Sequence, residues 1–133
     1  MTSKKLLIVL GTLFLIWFIY TIITFKPLTD EERQARRLEA YNYAVECSGT
    51  KEPKLKFEEI KWFIVPGNSI TYKATDGIAV LDGYFQISDN TIWMPSGKKD
   101  VFWIMAHESL HAIGYIGHPD HPFRTCRLMA DQN

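Results

Sequence analysis

The run H-E-S-L-H-A-I-G-Y-I-G-H, from His107 to His118, gathers the side chains of this 133-residue sequence best suited to chemistry. His107 and His111 are four residues apart, so on a helix their imidazoles stack on one face with Cβ atoms roughly 5–6 Å apart. That spacing suits a single metal ion. Glu108 projects beside the same face, where a carboxylate can take a proton from a metal-activated water without being a ligand itself. The preceding V-F-W-I-M-A supplies an apolar face, with Phe102, Met105, Ala106, Leu110 and Ile113 at helical spacing. Ser96 or Asp100 is placed to cap the start of this helix, and Gly114 to end it in a left-handed turn.

A catalytic zinc usually takes three protein ligands and leaves a fourth position for water. Downstream of the helix come Gly114, Gly117, His118, Asp120 and His121, and then Cys126-Arg-Leu-Met129. In these roughly 25 residues the chain resembles the metzincin metallopeptidases, defined by H-E-x-x-H-x-x-G-x-x-H/D and a methionine-containing turn beneath the metal. The resemblance implies that His107 and His111 bind Zn2+ and that Glu108 is general base and acid. It also implies that Gly114 lets the chain leave the helix sharply to bring back a third ligand, and that Met129 underlies the metal. The family's third ligand falls at position 117, which is glycine here. His118, one residue later, is the preferred candidate, with Asp120 and His121 as alternatives. Zincins that take a glutamate ligand from a later helix are excluded, because no Glu follows Glu108.

Other segments must hold these residues. Residues 6–25 carry no charge, and twenty helical residues span about 30 Å, the thickness of a bilayer core. The stretch exceeds the apolar core of a cleaved signal peptide and lacks a small-x-small cleavage site. It reads as an uncleaved single-pass transmembrane anchor after a short tail, residues 1–5. Lys4 and Lys5 favour a cytoplasmic N-terminus and an extracytoplasmic domain, whereas Lys26, Arg33, Arg36 and Arg37 argue the other way.

Residues 26–133 hold 13 Lys+Arg (15 less Lys4 and Lys5) against 15 Asp+Glu, a net charge of −2. They form one domain long enough to bury a core. No basic patch with interleaved aromatics implies a nucleic-acid partner. Thr29-Asp-Glu-Glu32 has capping-box spacing and opens a helix to about Cys47, with Leu38, Tyr41, Val45 and Ala35 as its apolar stripe and Arg33, Arg36, Arg37 and Glu39 facing water. From Lys54 to Met94 the pattern alternates. It predicts short strands with a break at Glu58-Glu59, tight turns at Asp76-Gly77 and Asp82-Gly83, and a hairpin around the second turn. The fold class is α+β: an N-terminal transmembrane helix, then a small zincin-like domain of helix, short sheet, active-site helix and methionine turn.

Cys47 and Cys126 are the only two cysteines. In an oxidising compartment the pair suggests a disulfide, and in the cytosol two buried thiols; a thiolate capping the zinc is a third reading. The function expected is a membrane-anchored zinc endopeptidase acting on protein or peptide substrates. A non-catalytic zinc-stabilised binding module is the alternative.

Overall fold

The computed structural model describes residues 3–24, 27–75 and 77–129. Helix α2, Asp30–Ser48, begins at the capping box read from the sequence: the Thr29 hydroxyl accepts from the Glu32 N–H at 3.2 Å, and the Glu32 carboxylate accepts from the Thr29 N–H at 2.7 Å. It ends at Gly49, whose φ of 68° turns the chain left-handed and lets its N–H bond back to Glu46 O.

The buried stripe of α2 is Ala40, Tyr41, Ala44 and Ser48, with Arg33 on the same face. Leu38 is 40% exposed and Ala35 is exposed, so the stripe lies about one residue round the helix from the expected one. Small residues take the inward positions because α2 packs directly along α3, Phe102–Ala112. Arg33 does not face water. Its guanidinium donates to Asp100 (2.8 Å), Asp30 (2.8 Å) and Leu28 O (3.1 Å), which joins the start of α2 to the turn before α3. The hydrogen bond to Asp100 raises its pKa further.

Phe57–Glu59 is a single 3-10 turn, not a strand bulge. The Glu59 carboxylate accepts from the Lys56 N–H at 2.7 Å and closes the turn. Five strands follow: β1 Lys61–Val65, β2 Ile70–Ala74, β3 Gly77–Leu81, β4 Tyr84–Gln86 and β5 Thr91–Pro95. The main sheet has the order β1-β5-β4. β1 runs parallel to β5 from Lys61↔Thr91 to Val65↔Pro95, and β4 runs antiparallel to β5 from Tyr84↔Trp93 to Gln86↔Thr91. Central β5 is buried along nearly all its length, with Ile92 and Met94 against Met105 and Leu110 of α3 in one core.

β2 and β3 form a separate antiparallel hairpin whose register closes at Ala74↔Gly77. Asp76 itself lies outside the described residues. The hairpin expected around Asp82-Gly83 is not formed: β3 pairs with β2 and β4 with β5, so these two residues link the two sheets. The Cys47–Cys126 disulfide ties the end of α2 to the C-terminal turn, with Cα atoms 5.8 Å apart. No free cysteine remains to cap a metal.

The expected transmembrane anchor at 6–25 is corrected. Among the described residues no helix is long and apolar enough to cross a membrane. Helix α1, Ser3–Thr24, forms over this stretch, and its large apolar side chains from Leu6 to Tyr20 are exposed. Phe25 and Lys26 lie outside the described residues. The single-pass placement, the membrane partner and the extracytoplasmic orientation all rested on that anchor and are withdrawn with it.

Candidate metal centre

Helix α3 has two faces. Met105, Ala106, Leu110 and Ala112 are buried against the sheet and α2, while His107 and His111 stand on the opposite side, half-buried in a cleft. Neither expected cap is used at its start. Val101 occupies the cap position without a side-chain bond, because Asp100 is committed to Arg33 and the Ser96 hydroxyl to Gly67.

The exit of α3 follows the glycine reading. Gly114 takes φ 127° with its N–H on His111 O at 3.1 Å, and the Tyr115 N–H reaches Leu110 O at 3.1 Å. Gly117 takes a second positive φ of 69°. Residues with a Cβ adopt such conformations at a cost, so the two glycines let the chain double back within four residues and deliver His118.

The structure brings His107, His111 and His118 together: one ring nitrogen from each lies within 4.8 Å of the others. The Nε2 atoms of His107 and His118 are 3.0 Å apart. Two nitrogens on one tetrahedral ion at ~2.0–2.1 Å stand about 3.3 Å apart, so that pair is already at ligand spacing. The other two candidates are elsewhere. Asp120 faces Arg124 at 3.4 Å, and His121 bonds the Thr125 hydroxyl (2.9 Å) and Ser48 O (3.2 Å).

The outer nitrogens of the two helix histidines fix their tautomers. His107 Nδ1–H donates to Leu128 O at 2.5 Å and His111 Nδ1–H to Tyr115 O at 2.8 Å, so each Nε2 lone pair points to the shared centre. Burial, the largest cause in both, lowers the pKa of His107 and brings His111 down to about 4. Both rings are therefore neutral near pH 7 and available as ligands. Three imidazoles, two of them with oriented outer N–H groups, fit a metal ion, and such donors suit zinc, copper, iron or nickel.

The ring beneath the site is Phe123. It is fully buried, and its centroid stands 4.9 Å from each of the three imidazole centroids. Met129, expected in that position, is 37% exposed and lines the cleft beside Arg127 and Leu128. Phe123 escapes a sequence reading because the motif's spacing points to a methionine, and a phenylalanine among prolines and a histidine has no spacing of its own.

Glu108 lines the same cleft, about 430 Å³ in volume, with its side chain almost wholly buried. Burial raises its pKa to about 8, against a lowering hydrogen bond from the Phe85 backbone. Gly83 makes room for it: a Cβ there would meet Glu108 Oε1 and Ile104 Cγ2 at 2.9 Å. The close approach explains this glycine, and its φ is not positive. In sequence Asp82-Gly83 signals a turn, and only the packing of α3 against the linker reveals the other use.

No family model, curated protein or solved structure matches this chain.

Proposed function

We propose that the protein is a zinc-dependent endopeptidase of metzincin type. The single observation that carries this reading is the convergence of three imidazoles, each helix histidine neutral and braced by a backbone carbonyl, with a buried carboxyl in a cleft large enough for a peptide segment. His107, His111 and His118 would hold the ion. Bound there, zinc would acidify a water towards pKa ~7 and polarise the scissile carbonyl.

The remaining chemistry belongs to the chain. Glu108 takes a proton from the attacking water and passes it to the leaving amine. Its high intrinsic proton affinity suits the second half of that task, and a nearby dication would favour the ionised form needed for the first. β4 is an edge strand of the sheet, and the 80–83 segment leading into it lines the cleft. An extended peptide pairing with this edge would lie across the histidines.

The test is metal content and peptide hydrolysis on the same preparations. Wild type should carry one zinc per chain, lost in His107→Ala and His118→Ala and kept in Asp120→Ala. Glu108→Gln should keep the zinc and lose at least about a hundredfold in kcat/KM on an internally quenched peptide mixture. Unchanged turnover in Glu108→Gln refutes the assigned role and favours a non-catalytic zinc-stabilised binding module.

A further inference from the structure

Among the described residues Arg127 is the one arginine or lysine lining the cleft. It makes no ion pair with them, whereas Asp82, which lines the same cleft, is paired with Lys98. Its backbone is not that of an ordinary surface arginine. It takes φ 56°, a left-handed conformation that residues with a Cβ adopt rarely.

Both neighbours are pinned. Cys126 is held by the disulfide, by its N–H on Pro122 O at 2.8 Å and by the Tyr43 hydroxyl donating to its carbonyl at 2.9 Å. Leu128 is held by its N–H on Phe123 O at 2.7 Å and by His107 Nδ1–H on its carbonyl. Cys126 and Leu128 are buried while Arg127 between them is exposed. The left-handed residue thus keeps both neighbours inward and leaves Arg127 exposed at the cleft wall. Its backbone is fixed through Leu128 to His107, so the side chain starts from a set place relative to the three histidines.

We infer that Arg127 selects substrates carrying a carboxylate close to the scissile bond, either an acidic side chain or the free C-terminus of the peptide. The inference rests on the peptidase reading and supplies its substrate class. A guanidinium matches a carboxylate in planar, two-pronged geometry, and Arg127 has no competing partner of its own among the described residues. Val80, Trp103 and Met129 give the same cleft an apolar lining, so the peptide recognised combines apolar residues with one negative charge.

The experiment measures binding separately from cleavage. Three apolar hexapeptides are titrated calorimetrically into zinc-loaded Glu108→Gln: one with an internal Glu and an amidated end, one with Gln in that position and an amidated end, and one with Gln and a free carboxylate end. The Glu peptide, or the free-acid peptide, should bind about fivefold more tightly than the neutral one, equivalent to about 1 kcal/mol. Which of the two does so identifies the source of the carboxylate. Adding Arg127→Gln should bring the ratio to about one, while Arg127→Lys should retain part of it. The preference should also shrink as salt is raised. Equal affinities, no binding, or a preference that survives Arg127→Gln overturns the inference. A preference that behaves as expected in a wild-type protein that cleaves no peptide overturns the peptidase reading alone.

Discussion

Gly83→Ala adds one methyl group next to the Glu108 carboxyl, and its consequence can be worked from three distances. The new Cβ would lie 2.9 Å from Glu108 Oε1, 2.9 Å from Ile104 Cγ2 and 3.0 Å from Glu108 Cγ. Carbon atoms in contact sit at about 3.5–4.0 Å, so the side chains must retreat by roughly 0.5–1 Å. Ile104 and Glu108 are both on α3, and the backbone of α3 is held by Met105, Ala106 and Leu110 in the core. The displacement therefore falls on the side chains of Ile104 and Glu108, the carboxyl included. Overpacking of this kind costs about 1–3 kcal/mol of stability, and a misplacement near 1 Å costs on the order of a hundredfold in rate. The assay compares Gly83→Ala with wild type by thermal melting, zinc content and kcat/KM on one peptide. Zinc should stay at one per chain, because the three histidines are not touched, while kcat falls far more than KM changes. A variant with wild-type kcat and melting temperature would show that Glu108 does not need the space Gly83 leaves, and would refute its placement as the proton carrier.

Three further outcomes follow from the fold. In metal-free protein, Glu108 binds its proton more tightly folded than unfolded, so its contribution to stability is full below 4.5 and is lost as pH rises through about 8. His111 acts in the opposite direction: its contribution is present above 6.5 and lost as pH falls through about 4. Melting curves taken in chelator should therefore decline on both sides, and Glu108→Gln should remove the alkaline decline only. Reducing Cys47–Cys126 opens a loop of sequence separation 79 and should lower stability by up to about 4 kcal/mol, read as a shift in the urea midpoint in the presence of reductant; no shift would mean the bridge adds nothing to the fold. Arg33→Ala leaves Asp100 without its partner and the start of α2 unbraced, for a loss of about 1–3 kcal/mol by the same measurement, with zinc content unchanged.

The sequence by itself determined whatever depends on neighbours along the chain. Four-residue spacing put His107 and His111 on one helical face, the Thr29–Glu32 box opened α2, and Gly114 ended α3, because capping and periodicity are properties of one or two turns. The third histidine of the cluster was legible as a preference for His118 over Asp120 and His121, since the choice turns on how far the chain doubles back after Gly117. Tertiary structure decided the rest. Arg33 looks like a surface charge until α3 brings Asp100 to it, and Leu38 looks like core until the close approach of α2 to α3 gives the inward positions to Ala40 and Ala44. Gly83 and Phe123 act through side chains far along the sequence, one by leaving space for a carboxyl and the other by lying under three imidazoles. Packing is a relation between segments, and no local pattern encodes which segments will meet.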